Sequence, residues 1–416
     1  MNVTGYARIL TKRNMGGICF LKVRFQENDI QFILTKKKLK NYKEVASLPV
    51  GSILFIEGTP TTSDKGTPSI ALCSAEVVSI CRAKLPDKYN GVNSRTECDN
   101  RVIGLIGNSN SFGIFKVIAD INRRIRMILQ DNGYLEFDTG VLQDSFDAGL
   151  ANSFLTRCNA NGREYYLSMT SEIKLKKLIA GGFERVYEMT HSFRNEGINA
   201  THYPEFGILE AYRASDSLND SLGVVAEIIK SLAEASRDGV GVASLGDEFS
   251  APPQRTTFNE ALASALGREH CLVEELADLY PNLFSREMPR FTSIYKALTK
   301  IVAPRFDNPT FIMDMPAGFN PFCRIINDHA IQAVLVAKGM HIATISVDEN
   351  DKDIMQQRLR EQHERSGVSV NTGYLDLLNV GLPPISGFGL GMTRLAMLLL
   401  PREKRNVRNI ILFPFA

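Results

Sequence analysis

Residues 186–215 read VYEMTHSFRNEGINATHYPEFGILEAYRAS, two arms flanking a loop at 197–204 that holds Gly, Asn and Pro. That is the pattern of a hairpin with a long loop. Alternate residues of a strand share a face. Glu188, Thr190, Ser192, Arg194 and Glu196 therefore line one face of the first arm, and Phe206, Ile208, Glu210 and Tyr212 line one face of the second. An apolar sheet face does not accept an arginine and three glutamates unless they pair with one another or bind something charged. The alternative is a solvated face whose ion pairs are weak. Either way the segment demands an antiparallel sheet with one charged side.

A second segment bears on that choice. Residues 386–394 read SGFGLGMTR and run into the apolar stretch LAMLLL. Glycines at 387, 389 and 391 let a backbone approach another group closely, and the run after Gly391 reads as a helix. The spacing is not that of the dinucleotide fingerprint, and no βαβ unit follows. Taken alone, the segment also suits a glycine-rich strand end packed under a helix.

The chain of 416 residues is long enough for two or three domains with substantial cores. Short Val-, Ile- and Phe-rich runs at 18–25, 30–34, 52–58, 70–72 and 77–81, separated by turn residues, predict a small antiparallel barrel or sandwich over residues 1–82. The polar stretch 83–100, with Pro86, Gly91, Asn93 and Ser94, reads as a linker to a second domain at 101–416. There Ile114, Ile118, Ile121, Ile125 and Ile128 recur at helical spacing and predict an amphipathic helix that stops at Gly133, with a strand over 134–141. Residues 215–300 read as helix-rich, and the irregular alternation of helix and strand patterns suits an α+β domain on an antiparallel sheet.

Composition narrows the classes further. Lys+Arg 48 against Asp+Glu 46 gives a formal charge of +2, so no large basic field for nucleic acid is signalled. The apolar run 395–400 is far short of a membrane span, and the first residues carry no secretory pattern. Seven cysteines without a Cys-x-x-Cys read as reduced thiols. The expectation is a cytoplasmic chain with no membrane partner.

FRNEG (193–197), HYPEF (202–206), LEAY (209–212) and GFGLGMTRLAMLL (387–399) together resemble motifs 2 and 3 of the class II aminoacyl-tRNA synthetases, in detail those of the lysyl type. LPDK (85–88), the segment 114–141, SEIKLKKLIAGGFERV (171–186), PTFIMDMP (309–316) and ILFP (411–414) fit the same pattern in order, and GYARILTKRNMGG (5–17) looks like the family's anticodon-binding OB-fold. The resemblance implies an OB-fold barrel followed by a catalytic domain on an antiparallel sheet. It also implies a homodimer joined through 114–141, and an enzyme that activates lysine with ATP and passes it to tRNA. By the same resemblance Arg194 contacts the α-phosphate and Arg394 the γ-phosphate end of a bent ATP, Glu196 and His202 hold the nucleotide, and Phe206 stacks on adenine. Glu172 meets the α-ammonium of the amino acid, while Glu210, Tyr212, Thr344 and Asp348 surround its side chain. Phe20 and Gln31 match positions that contact the anticodon.

Several positions depart from that pattern. The two glutamates that bind the catalytic Mg²⁺ in the family are replaced by Val334 and His341, Asp348 stands for a glutamate and Thr344 for an asparagine. Asn152 replaces an arginine, Gly140 the motif 1 proline and Thr393 the acidic residue before the motif 3 arginine, and the acidic residue that the resemblance expects near Thr67 is missing. Magnesium use is thereby left open. Two other functions follow as alternatives: a paralogue that adenylates a lysine-like amino acid for a protein or small-molecule acceptor, or a non-catalytic regulatory homologue.

Overall fold

The alternation along the first eighty residues closes on itself. In the computed structural model, which describes residues 2–83, 85, 94–144, 152–237, 239–366 and 372–415, strands β1 (Val3–Asn14), β2 (Ile18–Phe25), β3 (Asn28–Thr35), β4 (Ile53–Thr62) and β5 (Pro68–Ser79) form a barrel in the order β1-β2-β3-β5-β4. Cys19, Leu21, Val23 and Phe25 of β2 face inward with Phe32 and Leu34 of β3, and burying this set is what stabilises so small a sheet. The expected OB-type barrel is present with one difference. The runs 70–72 and 77–81 are one strand, because register shifts opposite Ile53/Leu54 and Glu57/Gly58 bend β5 without breaking it.

The stretch expected as a linker ends in a helix, Ser94–Asp99, and a second one, Arg101–Gly107, follows it. The Asn100 side chain starts the second by accepting from Ile103 N at 3.2 Å. Pro86, Gly91, Asn93 and most of LPDK lie outside the described residues. The chain divides into two units, Met1–Phe115 with Leu412–Ala416, and Lys116–Ile411.

The isoleucine stripe sits on the helix Ser109–Asp131, most of which belongs to the second unit, where Ile121 and Ile125 are buried with Val117 and Leu129. The helix stops where expected, with Gly133 at φ +77°, a conformation glycine adopts at little cost. The strand expected over 134–141 shrinks to β6 (Leu135–Glu136). Its continuation is drawn off the ladder by buried Glu188, whose carboxylate accepts from Thr139 N at 2.9 Å and Thr139 Oγ1 at 2.8 Å.

Strands β7 (Leu142–Gln143), β8 (Leu155–Arg157) and β9 (Glu164–Leu167) make a small separate sheet. The large sheet adds the hairpin β10 (Arg185–Phe193) and β11 (Glu205–Ala214), then β12 (Gln254–Thr257), β13 (Thr310–Pro316), β14 (Ile325–Ile326), β15 (His329–Ala337), β16 (Met340–Val347) and β17 (Ile385–Gly391). Its order is β12-β13-β15-β16-β17-β11-β10-β6, antiparallel except for the outermost pair at each end, with β14 beside β15. Leu209, Ala211, Ala343, Ile345, Phe388 and Leu390 bury one face with the helix Leu218–Arg237. The period of two then turns Glu210, Tyr212, Thr344, Ser346, Gly387 and Gly389 to the other face. Among the described residues no single helix is long and apolar enough to cross a membrane.

Two glycines of β17 differ in what surrounds them. A Cβ on Gly387 would collide with the Tyr212 ring and lie 2.7 Å from Ala211 O, whereas one on Gly389 would meet nothing within 4 Å. Gly387→Ala is expected to lower stability by about 1–3 kcal/mol, the usual cost of overpacking, and Gly389→Ala to change it by less than about 0.5 kcal/mol. Urea melts of the two variants check this; equal losses would contradict the assignment of the open face.

Candidate active site

The charged side of the hairpin is built by register. Glu188 pairs with Glu210, Glu210 with Gly389, Gly389 with Thr344 and Thr344 with Val334, so one row crosses five strands. The next row runs Tyr212, Gly387, Ser346, Gln332. Because glycine contributes no side chain, the first row is open at Gly389 between Glu210 and Thr344, whereas in the second the Tyr212 ring packs over Gly387.

At one end the residues expected to hold a nucleotide gather. The alternation does not carry Arg194 and Glu196 along the strand as expected, since the ladder ends at Phe193, paired with Glu205. Beyond it Arg194 N donates to Pro204 O and Asn195 N to Asn152 O, both at 2.8 Å, and the chain turns into the loop. Arg194 nevertheless reaches the site: its guanidinium lies over the Phe206 ring, 5.2 Å from the centroid, within the range of a cation–π contact. Glu196 is exposed.

Arg394, on the helix Met392–Met397, donates to His341 O and to His202 Nε2, each at 3.2 Å. An arginine can only donate, so Nε2 accepts and the proton of a neutral His202 sits on Nδ1, which faces Asn199 Oδ1 at 3.1 Å. Burial lowers the His202 pKa, and the charges of Arg394, Lys300 and Arg194 lower it further. Desolvation also depresses Arg194, opposed by Glu196 and reinforced by Arg394, although the residue as a whole is exposed. Thr393 anchors the arginine's helix, its Oγ1 accepting from Gly207 N at 2.9 Å. The result is a concentration of fixed positive charge beside an aromatic face.

The residues expected around the amino acid also converge. Glu210 is buried, and Thr170 Oγ1 donates to it at 2.6 Å and Tyr212 OH at 3.4 Å. Burial, then the like charge of Glu172, push Glu210 up to about 7 against the pull of Thr170, Lys176 and Tyr212. Glu172 and Asp348 meet at one cation that the sequence reading missed, Lys176, whose ammonium is paired with Glu172 and lies 2.6 Å from Asp348. Lys176 and Glu172 are four residues apart on the helix Glu172–Ala180, so the spacing offered a signal. Thr344 belongs to the first row, its Oγ1 2.9 Å from His341 Nε2. Gln332, also missed, is buried with no hydrogen-bond partner for either amide atom among the described residues.

The positions that the resemblance gives to metal carboxylates were tested against this geometry. Val334 is fully buried in the apolar cluster with Ile312 and Val336 and has no donor atom. Burial and the charge of Arg394 push His341 down to about 3, leaving a neutral imidazole, and hard cations such as Mg²⁺ prefer oxygen. The residues present do not fit the two-carboxylate magnesium set.

Phe20 and Gln31 lie in the other unit, on the outer face of the barrel. Phe20 pairs with Ile33 and Lys22 with Gln31, which makes Phe20 and Gln31 diagonal neighbours, and Gln31 Nε2 donates to Ser69 Oγ at 2.9 Å.

The family described as tRNA synthetases class II (D, K and N) matches residues 93–416. Curated relatives are similar over the whole length. A lysine--tRNA ligase of Prochlorococcus marinus is 29% identical across 100% of this chain and 86% of its own. Those of Dehalococcoides mccartyi and Buchnera aphidicola are each 28% identical, across 98% and 100% of this chain respectively and 86% of their own.

The Glu210 shift has a consequence for stability. A carboxyl whose pKa is about 7 folded and 4.5 ordinarily binds its proton more tightly in the native state. Its contribution is then fully present below pH 4.5 and is lost as pH rises towards 7, by on the order of 3 kcal/mol. Glu210→Gln is expected to flatten the stability profile between pH 5 and 8 relative to the parent, read by urea melts across that range. Parallel profiles would show that Glu210 is ionised throughout.

Proposed function

The chain belongs to the class II tRNA synthetases of the D, K and N group, and from that premise we propose that it activates lysine with ATP and transfers it to tRNA. What supports the choice of lysine is above all the acidic pocket: Glu172, Glu210 and Asp348 gather beside Tyr212, where a buried ammonium needs carboxylates to offset its desolvation. The lysine--tRNA ligases to which the chain is similar point the same way.

In this reading the lysine carboxylate attacks the α-phosphorus, the bond from that phosphorus to the α,β-bridging oxygen breaks and pyrophosphate leaves with the electron pair. A tRNA hydroxyl then attacks the aminoacyl carbonyl and AMP departs. The protein's work is positioning and stabilising charge. Phe206 would stack on adenine, and Arg194, whose guanidinium lies 5.2 Å from that ring's centroid, would hold the α-phosphate. Arg394, fixed by His341 O and His202, takes the γ-phosphate end. No step here passes through a metal. Phe20 and Gln31 would read the anticodon, and self-association would use 114–141, where Met127 and Leu135 are exposed.

The replacement of both metal carboxylates favours a second reading, a homologue that binds nucleotide without turning it over. ATP–pyrophosphate exchange over a panel of amino acids separates the two. Lysine-dependent exchange followed by charging of tRNA is expected, with Arg194→Ala cutting exchange by roughly 10²–10³-fold, the usual cost of losing a group that stabilises developing charge. Nucleotide binding without exchange for any amino acid would establish the second reading instead.

A further inference from the structure

Lys176 has no exposed surface, and an isolated ammonium is very costly to bury. Its surroundings answer that cost as a binding site would. Burial alone would lower its pKa, but Asp348 and Glu172 outweigh that and hold it above the ordinary lysine value. Around the same nitrogen stand three aromatic rings, Tyr212 at 5.1 Å, Tyr374 at 5.2 Å and Phe322 at 5.3 Å from their centroids. Carboxylates and several ring faces about one nitrogen are the means by which proteins recognise ammonium ligands.

Three members of this cage, Glu172, Tyr212 and Asp348, are the residues assigned above to the incoming amino acid. An ammonium 2.6 Å from the Asp348 carboxylate already supplies the cation that this carboxylate would take from a ligand. Two ammonium groups confined there would also repel each other strongly, since little water screens them. Among the described residues Glu210, in contrast, has only Thr170 and Tyr212 as hydrogen-bond donors and no cation in direct contact.

We propose that Lys176 is a tethered occupant of the ammonium cage, a residue of the chain standing in for a side-chain ammonium, so that a diamino acid fills this subsite only when Lys176 withdraws. The proposal rests on the lysine reading only for the identity of the competitor. A tethered group competes at an effective concentration in the millimolar range or above. Its removal should therefore strengthen the binding of free ammonium ligands. Lys176 acts here by setting access and specificity, and it touches no reacting atom.

The test uses the full chain and Lys176→Ala, with n-butylammonium and L-lysine as separate probes in thermal-shift titrations, and L-lysine in ATP–pyrophosphate exchange. Butylammonium is expected to stabilise Lys176→Ala saturably and to leave the parent unmoved, and the KM for lysine is expected to fall at least tenfold. Exchange with equal KM in both proteins and no butylammonium response overturns the inference while leaving the proposed function intact. A butylammonium response confined to Lys176→Ala, without exchange in either protein, leaves the inference standing and removes the lysine reading.

If Lys176→Ala does not fold, the parent supplies the answer. Amine-reactive labelling with mass spectrometry is expected to modify Lys176 when L-lysine is bound and to spare it when it is not. Continued protection of Lys176 with L-lysine demonstrably bound by calorimetry overturns the inference.

Discussion

The site depends on a strand that contributes almost nothing but backbone. β17 runs between β11 and β16, and its two central glycines face the open side, Gly389 between Glu210 and Thr344 and Gly387 between Tyr212 and Ser346. Side chains there would fill the space that the flanking polar groups need. At Gly387 the Tyr212 ring already lies where a Cβ would go, so the glycine is fixed by packing; at Gly389 the space is empty, so packing does not require it. On the other side of the same strand Phe388 and Leu390 are buried against the helix Leu218–Arg237. A period of two thus gives one strand an apolar half that secures it and a bare half that makes room.

The two glutamates that share a row show how differently burial can be answered. Glu188 is 4% exposed and Glu210 3%. Glu188 takes two hydrogen bonds from Thr139, one from the backbone, and in doing so ends the ladder at β6. Glu210 has two hydroxyl donors among the described residues, and burial, then the like charge of Glu172, raise its pKa against them. The first is a structural carboxylate, satisfied within the fold. The second is held where protonation or an incoming cation would relieve it, and that asymmetry separates a site from a brace.

The legible parts of the sequence were those with a period. The barrel strands, the isoleucine helix, the hairpin and the helix after Gly391 follow from runs of alternating or helical spacing, and each is present. What failed were inferences that stretched a period past the element's end. Arg194 and Glu196 belong to no strand, because Asn195 N turns away to Asn152 O. Residues 134–141 do not continue as a strand, because a distant glutamate captures Thr139. The aromatic cage was invisible for a related reason: Phe322, Tyr374 and Lys176 come from separate segments, and nothing local marks them as neighbours.

Charge is sorted across this face. Arg194, Arg394 and Lys300 all act on His202 at one end, while at the other Glu172 and Asp348 meet Lys176 and Glu210 lies beside Tyr212. In the proposed function a triphosphate would bring several negative charges to the first end, and two metal carboxylates there would add to them. With Val334 and His341 in their place, the arginines meet less competing negative charge, and His341 stays neutral between them. The loss of the family's metal ligands and the presence of an internal ammonium at the opposite end then have a common electrostatic logic. Each end of the row comes closer to carrying its own counter-charge, so an arriving nucleotide or amino acid has to displace or supplement a charge the protein already supplies.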